Sequence, residues 1–250
     1  MAQCAPVGAS THPALSPLNW NHKPTKILIT GKSGSGKTTL FLKLLTETKA
    51  RLKFCFDPDR EIARKLRQPV CTRPTQLVGA ILHRMPVICF DPSEMFPGDL
   101  PGAFAFFCRW VLNVSRCVNG PKLFAVDEVW RWAPQQSLLP QAVQELLDLG
   151  RREEIDLLFI AQRANKVHDA IRAQLTEIIT FQHSDRLPLE WLAEDFNPDE
   201  VKALKYPGGF LRKNLIGDIQ RTRKPGGEAS ADGRQASGHR QRVRHQPKDR

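Results

Sequence analysis

The chain has 250 residues, 41% of them hydrophobic and 8% aromatic, with a formal net charge of +11. A single core stops growing at roughly 250–300 residues, so two full domains are excluded, and the ordinary composition excludes a fibrous or wholly disordered class. The charge is uneven: residues 221–250 carry nine Lys or Arg against Glu228, Asp232 and Asp249, a balance of +6, which leaves +5 for the first 220 residues.

A basic balance of this kind favours a polyanionic partner, with the folded part itself only mildly basic. The six cysteines (Cys4, Cys55, Cys71, Cys89, Cys108 and Cys117) form no Cys-x-x-Cys pair and no Cys/His spacing suited to zinc. Reduced, mostly buried thiols are expected. The first 20 residues lack the charged start and apolar core of a secretory signal, and the longest apolar stretch, 103–118, is broken by Arg109 and Arg116. These features predict a cytosolic protein without a transmembrane anchor.

In chain order, residues 1–24 carry Pro6, Pro13, Pro17 and Pro24 among Ser, Thr and Asn, and form an N-terminal extension without periodicity, whose Trp20 is expected to dock on the core. From Lys26 short apolar runs alternate with helix-like stretches, which predicts an α/β fold: a mostly parallel central sheet flanked by helices, over residues 25–220. Strands are expected at 27–30, 52–56, 87–90, 123–126, 157–161 and 178–181, each short and apolar on both faces. Leu40, Phe41, Leu44 and Leu45 mark one helix face; Leu139, Ala142, Val143, Leu146 and Leu147 mark another, with Pro140 suited to its first turn and Gly150 to the position just past its end. Asn197-Pro198-Asp199-Glu200 reads as a helix start, Gly208-Gly209 as a turn, and residues 210–219 as a hairpin around Gly217. Beyond Arg221 almost nothing is apolar except Ala and Val243, so residues 221–250 are expected to be a disordered basic tail.

Ile27-Leu28-Ile29-Thr30 runs directly into Gly31-Lys32-Ser33-Gly34-Ser35-Gly36-Lys37-Thr38, a match to G-x-x-x-x-G-K-[ST] between a strand and an amphipathic helix. Glycines let the loop curl so that successive N–H groups face phosphate oxygens, and the helix start adds partial positive charge. Lys37 is placed to reach the β- and γ-phosphates of ATP and Thr38 to put its hydroxyl on Mg²⁺, with Thr39 counted among the nucleotide-binding residues. The apolar strand Leu123-Phe124-Ala125-Val126 ends in Asp127-Glu128. Asp127 is expected to hold Mg²⁺ through water, and Glu128 to polarise the attacking water as general base. That Glu argues for hydrolysis rather than for a kinase with a substrate hydroxyl as acceptor. A third strand, Leu157-Leu158-Phe159-Ile160-Ala161, delivers Gln162-Arg163 to the same edge, and Gln162 suits a sensor that bonds both water and a γ-phosphate oxygen.

The order of these features resembles the FtsK/HerA superfamily of DNA-pumping P-loop NTPases. The similarity spans about residues 25–220: the P-loop, Phe54-Cys55-Phe56-Asp57-Pro58, Val126-Asp127-Glu128 with Trp130, Leu149-Gly150-Arg151-Arg152, Phe159-Ile160-Ala161-Gln162-Arg163 and Ile178-Ile179-Thr180-Phe181. Gly-Arg followed by an apolar strand ending in Gln-Arg is its most diagnostic part. The resemblance implies a RecA/FtsK-like fold and a homo-oligomeric ring, often a hexamer, in which a neighbour's arginine completes the site; Arg151, Arg152 and Arg163 are the candidates, the first two ahead of the third.

The size of the chain resembles the compact genome-packaging ATPases of tailless, internal-membrane icosahedral viruses. That implies an ATP-driven translocase of double-stranded DNA, gripping it nonspecifically, docked to capsid vertex or portal proteins in the host cytoplasm or in the virion. A cellular HerA-like helicase, a conjugation-type motor and a zonula occludens toxin-like phage assembly ATPase share the core and stay open as alternatives. The tail residues Arg240, Arg242, Arg244, Lys248 and Arg250 serve either as an electrostatic tether for DNA or only as a solubilising segment.

Overall fold

The computed structural model describes residues 24–214 and 219–221. Trp20, Cys4, Gly217 and the basic tail beyond Arg221 lie outside the described residues.

Nine strands form one sheet in the order β3-β4-β2-β5-β6-β1-β7-β8-β9. These are β1 (Lys26–Thr30), β2 (Leu52–Phe56), β3 (Val70–Cys71), β4 (Ile88–Phe90), β5 (Lys122–Val126), β6 (Ile155–Ala161), β7 (Glu177–Phe181), β8 (Phe210–Asn214) and β9 (Ile219–Arg221). The strands from β3 across to β7 all pair in parallel, and β8 and β9 add an antiparallel edge. The six expected strands are all present, four of them beginning earlier in the chain than the apolar run alone suggests, at Lys26, Lys122, Ile155 and Glu177. The hairpin after Phe210 is β8 paired with β9.

The reason for a parallel arrangement is legible in the strand faces. β1, β5, β6 and β7 are buried at every residue, as strands covered by helices on both sides must be. Side chains alternate between faces. Leu28, Phe54, Phe56, Phe124, Leu157 and Phe159 enter one core with α4 (Leu100–Cys117) and α5 (Gln141–Leu149). Ile27, Ile29, Cys55, Leu123, Leu158 and Ile160 enter the other with α1 (Lys37–Glu47) and α2 (Glu61–Leu66). The first core is aromatic: Phe56 meets Phe104 at 5.1 Å and Trp132 at 5.5 Å between ring centroids, both edge to face, arrangements each worth about 0.5–1.5 kcal/mol beyond burial.

Helix α4 shows why its apolar stretch is not a membrane segment. Ala103, Phe104, Phe107, Cys108, Val111, Leu112 and Ser115 are buried on one face, whereas Arg109 and Arg116 are exposed on the other. Among the described residues no helix is long and apolar enough to cross a membrane. Pro140, expected in the first turn of α5, stands one position earlier with extended backbone, as the N-cap; that position still needs no N–H from it. Helices α2 and α3 (Pro74–Leu82) and the two-residue β3 have patterns too short to be read locally. Helices α6 (Asp169–Arg172) and α7 (Arg186–Leu192) flank β7 in the chain, and α8 (Pro198–Lys202) starts at Asn197, whose side chain accepts from the Asp199 N–H. Cys55, Cys71, Cys89 and Cys108 are buried free thiols, while Cys117 is exposed.

Asp156, buried at the start of β6, accepts from the Thr25 N–H at 2.6 Å and the Thr25 hydroxyl at 2.9 Å through the same oxygen. Burial nevertheless pushes its carboxyl up to about 6. A folded-state value above the unfolded one means that the stability cost is absent below about pH 4 and fully present above about pH 6. Asp156→Asn keeps the accepting oxygen and removes that cost. The variant is expected to gain on the order of 1–3 kcal/mol at pH 8 in denaturant titrations, with the gain fading to zero as pH falls from 6 to 4. A gain that is independent of pH rules out the buried charge as its source.

Candidate functional site

The loop between β1 and α1 is shaped by its glycines and by what presses on it. Gly31, at φ 153°, lies so close to β7 that an added Cβ meets the Phe181 Cβ at 2.6 Å. Gly34, at φ 73°, faces the Tyr206 hydroxyl, 2.4 Å from where its Cβ would stand. The Lys32 N–H donates to the Gln182 carbonyl at 3.0 Å and the Gly208 N–H to the Ser35 carbonyl at 3.0 Å, so the segments on either side of α7 and α8 anchor the loop. Helix α1 then starts at Lys37, with Gly36 as a left-handed N-cap. The first N–H groups of the helix, including those of Thr38 and Thr39, have no acceptor within it, and such a helix start favours an anion.

Lys37 is buried and its ammonium donates to the Lys32 carbonyl at 2.9 Å. Burial lowers its pKa, and the charges of Glu128 and Asp127 act in the opposite direction. Beneath it His183 lies 3.1 Å from the Thr30 hydroxyl. Burial, with the nearby Lys37 charge, pushes this imidazole down to about 4, so it is neutral at physiological pH and adds no second cation under the loop.

At the end of β5, Asp127 and Glu128 diverge. Asp127 is pushed up to about 6 by burial first and then by the neighbouring Glu128 and Glu61 charges. Glu128 takes the left-handed conformation, φ 50° and ψ 50°, a geometry uncommon outside glycine that re-aims its side chain. One oxygen of its carboxylate accepts both from the Trp130 indole N–H and, at 3.1 Å, from the backbone N–H of Gln162. This bond crosses from the end of β5 to the end of β6. The second oxygen is left for other partners.

These groups line one cavity of about 260 Å³, which includes Ser33, Lys37, Thr38, Asp127, Glu128 and Gln162. Asp57, Asp59 and Arg131, which sequence reasoning did not single out as site residues, line it too. Asp57 accepts from the Ile62 N–H at 3.2 Å and the Ala63 N–H at 2.7 Å, capping α2. Arg131 pairs with Asp59 at 2.6 Å and lies 4.5 Å from the Trp132 ring. Their one sequence signal was position: Asp57 follows an apolar strand just as Asp127 does. The chemistry of the donors fits Mg²⁺, a hard cation that takes oxygen ligands and keeps several waters. Thr38 and Asp127 would hold it, and the carboxylates gathered around Asp127, which add to the effect of burial on its pKa, are what a divalent cation would relieve.

The other predicted residues go elsewhere. Arg163 is exposed just past Gln162, whereas Arg151 and Arg152 are exposed immediately before β6, with Arg152 3.7 Å from Glu153. The seven residues of β6 separate these two from the cavity by roughly 20 Å at about 3.3 Å per residue. A larger cleft of about 730 Å³ lies at the far edge of the sheet, beside the start of β7. Its charges are already matched, Arg172 with Glu194 at 2.6 Å and Lys213 with Asp195 at 2.8 Å.

No family model matches the sequence, and no curated protein matches it. Solved structures do. The genome-packaging NTPase B204 of Sulfolobus turreted icosahedral virus 2, in complex with AMPPCP, superposes with a TM-score of 0.64 at 19% identity, over 81% of this chain and 97% of that one. B204 of Sulfolobus turreted icosahedral virus, described as a DNA-packaging ATPase, gives 0.63 at 17% identity over 82% and 100%. VirB4 of Thermoanaerobacter pseudethanolicus gives 0.58 at 13% identity over 81% and 89%. The chain shares its fold with these structures. At these identities the likeness is one of fold, and the site stands on its own geometry.

Because a Cβ at Gly31 meets the Cβ and the backbone of Phe181, which cannot swing aside, Gly31→Ala is expected to cost roughly 2–4 kcal/mol in chemical denaturation and to weaken ATP binding. Unchanged stability would show that the loop and β7 are not in contact.

Proposed function

We propose that the chain is an ATP-hydrolysing motor that translocates double-stranded DNA and packages a viral genome into a preformed capsid. The observation that carries the chemistry is the hydrogen bond from the Gln162 backbone to Glu128, which sets a general base and a γ-phosphate sensor side by side, in one cavity with Lys37. The phosphates rest on the N–H groups of the loop, with Lys37 on the β- and γ-oxygens. Thr38, and Asp127 through water, would hold Mg²⁺, which would neutralise charge on those oxygens. Glu128 takes the proton of the attacking water on its second oxygen, while the Gln162 side chain orients that water against the γ-phosphate.

The DNA-packaging role is supported by the B204 likeness, which spans nearly the whole of that chain and most of this one. Arg151 and Arg152, exposed and remote from their own cavity, are the groups that a neighbouring copy in a ring would receive; Arg163 is the alternative on the cavity's own edge. The remaining elements of the proposal are docking to capsid vertex or portal proteins and residence in the host cytoplasm or at the packaging vertex of the virion. The net charge of +11 favours nonspecific phosphate contacts, whose strength falls with salt as counterions are released.

Phosphate release from ATP, with and without double-stranded DNA, is the test. Wild type is expected to hydrolyse ATP and to be stimulated by DNA; Lys37→Ala is expected to lose nucleotide binding. Glu128→Gln is expected to bind ATP but to turn over roughly 100-fold more slowly or worse. Trp130→Phe, which deletes one donor to the Glu128 carboxylate, is expected to lose roughly tenfold in kcat with little change in KM. Equal phosphate release by Glu128→Gln and wild type overturns the hydrolytic assignment, and hydrolysis indifferent to DNA points to a motor acting on protein instead. Removal of residues 221–250 is expected to flatten the dependence of DNA affinity on salt; an unchanged slope rules out the tail as a tether.

A further inference from the structure

A nucleoside triphosphate has two ends, and the groups described so far deal with only one of them. The γ end is placed by Asp127, Glu128 and Gln162, which follow β5 and β6 on one side of β1. On the other side of β1 lie β7 and β8, and there residues 205–209 turn across the outside of the loop. The turn is closed by the Gly209 N–H donating to the Lys205 carbonyl at 2.9 Å, and is fastened by the Gly208 N–H to the Ser35 carbonyl at 3.0 Å.

Tyr206 sits on this turn. Its hydroxyl donates to the Ser33 carbonyl at 3.3 Å and closes against Gly34. The Lys32 ammonium lies 4.2 Å from its ring centroid. With its tip and one face thus engaged, Tyr206 is still 47% exposed. That exposed surface belongs to a ring held beside the phosphate loop by these contacts, on the opposite side of β1 from the strands that carry Glu128 and Gln162. Each of the contacts that fixes the ring is made to the P-loop, so the ring and the phosphate cradle are one rigid unit. A flat apolar face with its position fixed in this way is what an aromatic base stacks on.

We propose that Tyr206 is the platform for the nucleobase of the bound nucleotide. The proposal rests on the reading of the loop as an ATP site and adds its second half. Stacking accepts any base because every base has a π-face, so the platform confers affinity for the base without strict choice between ATP and GTP. Gly34 has a second function in this arrangement: a side chain there displaces the tyrosine.

The test compares ATP, GTP and inorganic tripolyphosphate, each with Mg²⁺, binding to wild type, Tyr206→Ala and Tyr206→Trp by calorimetry, with thermal melts as a control for folding. In wild type, ATP and GTP are expected to bind more tightly than tripolyphosphate. Tyr206→Ala is expected to weaken both nucleotides roughly 5- to 100-fold, and by clearly more than it weakens tripolyphosphate. Tyr206→Trp, which keeps a stacking face but loses the hydroxyl contact to Ser33, is expected to retain most of the nucleotide affinity. Equal loss of ATP and tripolyphosphate in Tyr206→Ala overturns the platform and makes Tyr206 a prop for the loop. Unchanged ATP affinity in that variant also overturns it, by placing the base elsewhere. If wild type binds neither ATP nor tripolyphosphate, the nucleotide site itself is overturned, and the platform with it, a result distinct from either of the others.

Discussion

Parallel pairing of β5, β6 and β1 is the constraint from which the rest of the site follows. Strands buried on both faces have no room for polar side chains along their length, so polar groups collect where the strands end. Because these three run in the same direction, their ends share one edge, and a phosphate loop, an acid pair and a glutamine arrive together. Had β6 run antiparallel, Gln162 would lie at the far edge, and Arg151 and Arg152 at the edge that carries the cavity. The single bond from the Gln162 backbone to Glu128 at 3.1 Å is the local expression of this register.

Charge is concentrated in the cavity to a degree that burial resists. Asp57, Asp127, Glu128 and Glu61 face Lys37 and Arg131 across about 260 Å³. Burial is the main reason that the carboxyl of Asp127 rises to about 6 and that the pKa of the Lys37 ammonium is lowered, and the neighbouring carboxylates add to the first shift and oppose the second.

The loop itself is held from outside the sheet's central strands. Gln182 after β7 and the turn before β8 both bond to it, and Phe181 and Tyr206 crowd its glycines. A cradle for phosphates must keep its N–H groups pointing inward whether or not anything occupies it, and these outer contacts give it that rigidity. They also set an aromatic face beside it, so that the antiparallel edge of the sheet contributes to the site as well as to closing the fold.

How much of this was legible depends on how local each feature is. A phosphate loop is made of consecutive residues between a strand and a helix, and an acid pair follows directly on its own apolar run; the sequence by itself therefore determined residues 31–38, Asp127, Glu128, the six main strands and the α/β class. Helix α4, hidden in a stretch read only for its apolar length, needed a core to show which of its faces is buried. Contacts between distant segments left no local trace. Gln162 meets Glu128 across 34 positions and Tyr206 meets Ser33 across 173. Which sheet edge receives Arg163 and which receives Arg151 and Arg152, that Arg131 is held by Asp59, and that a lone tyrosine lies against the loop were decided only by the tertiary structure, because strand direction and packing partners are properties of the whole sheet.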